Sequence, residues 1–61
     1  MTITVQWYAH KQGTFEPDYD KRTVKNIIGK NAKECMEAIQ FIRDNHDLVL
    51  FTPTEIINVE D

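Results

Sequence analysis

The sequence predicts an α+β fold: a small single-layer sheet, antiparallel or mixed, with one amphipathic helix packed on one face. Residues 2–10 alternate between apolar and polar side chains, as a half-buried strand does. Residues 31–46 instead repeat their apolar side chains at helical spacing. The chain has 61 residues, which suits one small domain spanning 1–61. Read in chain order, the elements are β-β-α-β, with room for a fourth short strand.

The first predicted strand, 2–10, has two different faces. Its apolar face carries Ile3, Val5, Trp7 and Ala9. Its polar face carries Thr4, Gln6, Tyr8 and His10. We expect the apolar face to lie on the helix, with Trp7 as the largest core side chain, because a shift of one residue would expose every one of these apolar groups.

Residues 11–20 have no regular pattern and are predicted to form a loop. Gly13 favours a turn, and Pro17 removes a backbone donor from any strand that includes it. We expect Phe15 and Tyr19 to fold back over the core.

The same loop contains a fragment that resembles the start of a calcium-binding loop, Asp18-x-Asp20. Such a loop needs a glycine at its sixth position and a glutamate at its twelfth. The twelfth position here is Gly29, and the sixth is not glycine. We therefore expect a solvated loop and no bound metal.

Residues 21–28 are predicted to form a second strand that leads through Gly29 into the helix. We expect Val24 and Ile28 to face inward. Three side chains would then share the outer face with the polar side of the first strand: Lys21, Thr23 and Lys25.

The predicted helix, 31–46, has a start signal and an end signal. Asn31 is a good N-cap, and Glu34, three residues later, is placed to accept a hydrogen bond from the Asn31 amide. Asn45 tolerates the left-handed conformation that often ends a helix. We expect His46, next to that end, to cap carbonyl groups.

One stripe of the helix is expected to pack on the sheet and carries most of the helix's apolar residues. Its members are Ala32, Cys35, Met36, Ala38, Ile39, Ile42 and His46. Phe41 lies outside this stripe, between Glu34 and Glu37 in projection. Two alternatives stay open for Phe41: it packs under a loop, or it is exposed and meets a partner.

The region 48–60 is predicted to contain strand, either one kinked strand or two short ones. Residues 48–51 are apolar at every position, which indicates burial on more than one side or a helix end that continues into a strand. Thr52 precedes Pro53 and is biased towards an extended conformation. Residues 55–60 then alternate Ile57 and Val59 with polar neighbours.

Size and composition limit what the chain can be. A chain of 61 residues buries a small core, so an aid such as oligomerisation is common, and we keep a homodimer as an option. Cys35 is the only cysteine, which excludes an internal disulfide and suits a reducing compartment. The sequence shows neither a signal peptide nor a membrane-spanning run, so we expect a cytoplasmic protein that does not contact a membrane.

The residue inventory argues against an enzyme. The chain has no serine, and its two glycines supply no phosphate-binding loop. Cys35 lies on the predicted buried stripe, where a reactive thiolate is disfavoured. We therefore predict no catalytic, cofactor-binding or metal-binding residue and no cofactor.

Charge is unevenly distributed along the chain. Residues 21–33 carry a net charge of +5, whereas residues 34–61 carry −6 and residues 1–20 carry −2, for a total of −3. The two regions either neutralise each other or present a polarised surface to a charged partner.

The functional prediction is a small non-enzymatic protein-interaction module whose partner is unknown and includes a second copy of itself as an option. Candidate partner-binding residues are Tyr8, His10, Lys21, Lys25 and Phe41. One alternative is single-stranded nucleic-acid binding, which the net charge disfavours, with Tyr8 stacking on a base and the lysines on phosphates. Another is a small acidic regulator, similar in size and charge to those of mobile elements, that blocks a basic partner.

Overall fold

The computed structural model describes all residues, 1–61, and has the predicted α+β fold. Its elements in chain order are β1 (Thr2–His10), β2 (Pro17–Ile28), α1 (Ala32–Asp44) and β3 (Glu55–Glu60). The sheet order is β2-β1-β3, and both pairings are antiparallel, so β1 is the central strand. It follows that β2 and β3 are parallel to each other, and α1 is the crossover that this arrangement requires.

A core of five side chains lies between the sheet and one stripe of α1: Ile3, Val5, Ile27, Cys35 and Ile39. Three further apolar residues pack against it and are only partly buried: Met1, Trp7 and Ile42. The predictions for the apolar faces of β1 and α1 are therefore confirmed, although Trp7 borders the core instead of filling it. Including Thr54, six of the 61 residues are buried, so the core is small even for this length.

The start of α1 follows the prediction with one difference. The Asn31 side chain accepts a hydrogen bond from the Glu34 amide at 2.9 Å, which confirms the N-cap. The Glu34 carboxylate, however, accepts from the Lys30 amide at 3.0 Å and not from that of Asn31. At the other end, Asn45 has φ −102°, so it is not left-handed. Its side-chain amide instead donates to the Phe41 carbonyl at 2.8 Å.

The predicted orientation of β2 is wrong. Ile27 lies opposite Ile3 and enters the core, whereas Val24 and Ile28 project from the face that carries no helix. Because side chains alternate along a strand, Lys25, opposite Val5, lies on the helix-bearing face with Thr23. Gly29, two residues after Ile27, lies so close to the helix that a Cβ there would be 2.8 Å from Cys35 Sγ.

β2 also begins earlier than predicted, at Pro17. Its pairing with β1 is irregular between Tyr8 and His10 of β1. The preceding turn is closed by a hydrogen bond from the Lys11 amide to the Glu16 carbonyl at 2.8 Å. Phe15 and Tyr19 do not cover the core, because they are 76% and 72% exposed.

The segment between α1 and β3 also differs from the prediction. Leu48, Val49 and Leu50 form an exposed turn and are not buried. Phe51 makes one isolated bridge with Ala9, and the strand proper begins only at Glu55. The region 48–60 therefore holds one short strand preceded by a single bridge.

Candidate functional site

Three exposed apolar side chains meet at the end of the sheet where β1 turns into β2. We call Phe15, Val49 and Leu50 the hairpin-end patch; their exposed fractions are 76%, 61% and 56%. Together with residues 10–14 they line a cavity of about 320 Å³. That volume is near the lower limit of ligand sites, which span about 300–1,000 Å³.

His10 joins the two halves of this patch. Its backbone amide donates to the Leu50 carbonyl at 2.8 Å, and its ring Nδ1 lies 2.8 Å from the Val49 carbonyl oxygen. A carbonyl only accepts, so Nδ1 carries the hydrogen and Nε2 of the neutral ring is an acceptor. The Phe15 ring lies edge-on at 6.1 Å from the His10 ring.

Local turns hold both sides of the hairpin-end patch in place. Gly13 has φ +75°, which a residue with a side chain adopts at a cost, and Thr14 donates from its hydroxyl to the Lys11 carbonyl at 2.9 Å. On the other side, the Asp47 side chain accepts from the Val49 amide at 2.9 Å, and its carbonyl accepts from Leu50 at 3.0 Å. The patch is thus preformed by its own backbone.

The face of the sheet that α1 does not cover is a polar network. Arg22 Nε donates to Gln6 Oε1 at 2.6 Å, and Gln6 Nε2 donates to Glu55 Oε2 at 3.3 Å, which links all three strands. One step along the sheet, Thr4 donates to Asn26 at 2.9 Å. These groups bond to one another, so this open face offers few unpaired polar groups to a partner.

At the end of the same open face, Tyr8 and Tyr19 form an edge-to-face pair with ring centroids 5.1 Å apart. Arg22 lies opposite Tyr8 in the adjacent strand. Lys25, one of the lysines predicted to act with Tyr8, lies elsewhere, because strand alternation places it on the helix-bearing face.

The structure does not bring the predicted site residues together. Tyr8 and His10 project from the open face, and of the five predicted site residues His10 alone lines the cavity at the hairpin-end patch. Lys25 lies on the opposite face, and Lys21 Nζ is 4.0 Å from the Asp18 carboxylate. Phe41 is 70% exposed on α1, which decides between the two alternatives for its burial and leaves its partner a prediction.

Sequence reasoning missed Phe15, Val49 and Leu50. From the sequence, Phe15 is expected to cover the core, and the unbroken apolar run 48–51 indicates either burial or a helix end that continues into a strand. A signal against burial was present in the turn-forming residues on both sides of the run, Asp47 and Pro53.

His46 is the other notable side chain. It is held between the rings of Trp7 and Phe51, edge-on at 5.1 and 5.2 Å, and its Nδ1 lies 3.2 Å from Thr54 Oγ1. Its Nε2 is buried without a hydrogen-bond partner. The prediction that His46 caps carbonyls is wrong, because aromatic packing turns the ring inward. A second cavity, of about 210 Å³, borders His46 and Thr54.

The thiol of Cys35 is fully buried in the core. Its Sγ lies 3.7 Å from the Met1 carbonyl oxygen and 3.8 Å from that of Ile27, so it is placed as a weak donor to both. This position fits the predicted packing role. The structure contains no group of three or more side chains arranged to hold a metal ion.

No protein-family model, curated protein or solved structure matches this chain. No helix in the structure combines the length and apolar character needed to cross a membrane.

Proposed function

We propose that the protein is a small non-enzymatic interaction module that binds a large apolar side chain of a protein partner at the hairpin-end patch. The observation that carries this proposal is the preformed cavity between Phe15, Val49 and Leu50. A free buried thiol, Cys35, supports the cytoplasm as its compartment.

Exposure of the patch supports a binding role, because clustered apolar surface of this kind commonly marks an interaction site. Covering these side chains with a partner's apolar groups would gain about 25 cal/mol for each Å² removed from water. The hydrogen bonds of His10 to Val49 and Leu50 already order the backbone. Binding therefore costs little additional ordering of this chain.

The chemistry of His10 adds a polar requirement. Its Nε2 is an acceptor while the ring is neutral, since Nδ1 donates to the Val49 carbonyl. A partner that inserts an apolar side chain and offers an adjacent backbone N–H would match both features.

The test is a pull-down from native lysate with three immobilised forms: wild type, the double variant Phe15→Ser/Leu50→Ser, and Phe41→Ser as the matched exposed aromatic control. Circular dichroism checks that all three fold. We expect a partner retained by wild type and by Phe41→Ser but lost by the double variant. Equal capture by all three forms, or none by wild type, would overturn the proposal.

Single-stranded nucleic-acid binding is the second candidate, and the pairing of Tyr8 with Tyr19 beside Arg22 is the observation in its favour. The polar network and the net charge of −3 oppose it. A salt titration with a fluorescent oligonucleotide tests it; absence of binding at about 50 mM salt would exclude this function.

A further inference from the structure

β3 is an edge strand, and its side away from β1 pairs with no other strand. The Thr52 amide donates to the Tyr8 carbonyl, and the His10 amide to the Leu50 carbonyl, so even-numbered residues of β1 direct their backbone groups towards the β3 side. By alternation Gln6, like Thr2 and Thr4, does the same. The residues of β3 that lie opposite them therefore direct their own backbone groups towards β1. These residues are Glu55, Asn58 and Glu60.

Two residues of β3, Ile56 and Val59, direct their backbone N–H and C=O groups away from β1, towards the free edge. Ile56 and Val59 lie opposite Val5 and Ile3, whose own backbone groups turn towards β2. A register shift places Ile57 as an extra residue between them, so Ile56 and Val59, three positions apart, both direct their backbone to the free edge. Both side chains lie on the helix-bearing face.

That part of the helix-bearing face is uncovered. α1 packs over Ile27 and the central strand, and it leaves Ile56 and Val59 40% and 54% exposed. The chain exposes 4507 Å², whereas a compact monomer of 7.2 kDa exposes about 4,100 Å². The excess is consistent with a surface that is covered in an assembly.

We propose that a second copy of this chain pairs with the free edge of β3, antiparallel and about a two-fold axis next to Ile57. Ile56 of each copy then lies opposite Val59 of the other and exchanges backbone hydrogen bonds with it. The product is a six-stranded sheet with order β2-β1-β3-β3-β1-β2 and both helices on one face. The two-fold arrangement is closed, so it ends at a dimer.

The edge of β2 is a poorer template for a second copy. It carries Lys21, Arg22 and Lys25, and like charges on an edge strand discourage self-pairing. The β3 pairing has its own repulsion, because Glu55 of one copy faces Glu60 of the other on the open face. We therefore expect a dimer that salt strengthens, since screening weakens that repulsion.

This surface is separate from the hairpin-end patch, so the dimer and the proposed function succeed or fail independently. Sedimentation equilibrium over a concentration series at 50 and 500 mM NaCl is the main measurement. We expect the dimer dissociation constant to fall with salt, to fall in Glu60→Gln, and to rise at least tenfold in Val59→Lys. Phe41→Lys, an equally drastic change at an exposed site outside β3, leaves it unchanged.

Amide hydrogen exchange on the wild-type chain avoids any variant that fails to fold. The Ile56 and Val59 amides should become more protected as concentration rises, whereas the Val24 amide on the free edge of β2 should not. A monomer at millimolar concentration, a series of larger oligomers, or a dimer that salt weakens would overturn the proposal. The proposal would also be overturned if Val59→Lys had the same dimer dissociation constant as wild type, or if protection of the Ile56 amide did not change with concentration.

Discussion

The Nδ1 atom of His46 lies 3.2 Å from the hydroxyl oxygen of Thr54, and this contact joins the segment after α1 to the entry of β3. Thr54 is the only buried polar residue of the chain, at 6% exposed. Because Nε2 of the same ring has no partner, Thr54 supplies the single side-chain hydrogen bond of His46. The imidazole is otherwise held by aromatic edges.

Replacing Thr54 with valine is expected to destabilise the protein by about 1–3 kcal/mol, because it leaves a second ring nitrogen of His46 without a partner. The free energy of unfolding from urea titration measures this loss. Thr4→Val removes a hydrogen bond of similar length on the exposed face and is the control, with a change within about 0.5 kcal/mol. Equal losses in the two variants would show that the His46 contact has no special weight.

Gly29 lies against the core thiol, and a Cβ at that position would be 2.8 Å from Cys35 Sγ and 3.2 Å from its backbone nitrogen. Gly29→Ala should therefore cost about 1–3 kcal/mol through overpacking. In the double variant Gly29→Ala/Cys35→Ala, the sulfur contact is absent and the combined loss should be smaller than the sum of the two single losses. Additive losses in this double-mutant cycle would refute the steric explanation.

The N-cap of α1 is open to a direct test. Asn31→Ala removes the acceptor for the Glu34 amide and should cost about 0.5–2 kcal/mol in the free energy of unfolding. Asn31→Asp keeps an acceptor at the same position and should retain most of the stability. If alanine and aspartate behaved alike, the side-chain hydrogen bond would not be what stabilises this helix end.

Two nearby apolar residues of α1, Ile39 and Phe41, should differ strongly in how much stability is lost when each is truncated to alanine. Ile39 is fully buried, so Ile39→Ala should cost about 2–5 kcal/mol through the lost burial and the cavity that remains. Phe41 is 70% exposed, and Phe41→Ala should change stability by about 0.5 kcal/mol or less. Chemical denaturation of both variants in one buffer measures the difference, and a large loss in Phe41→Ala would mean that the ring is covered in solution.

Most residues of the candidate site could not be predicted from the sequence. The sequence identifies His10 as a candidate partner-binding residue because it lies on the polar face of the first strand. Phe15 is not identified, because the sequence pattern predicts that it folds back over the core. Val49 and Leu50 are not identified, because an apolar run has the same composition whether a turn exposes it or a sheet buries it. The sequence pattern places Lys25 on the wrong face, since Ile27 and Ile28 are chemically equal and either could enter the core.

The sequence by itself determined β1, the N-cap of α1 and the buried stripe of α1. These features depend on periodicity and on neighbours within a few residues, so composition and spacing are enough to specify them. Only the tertiary structure decided which isoleucine of β2 is buried, that residues 48–50 form an exposed turn, and that Ile57 shifts the register of β3. Each of these depends on contacts between residues far apart in the chain, such as the pairing of Ile27 with Ile3 and of Ile56 with Val5.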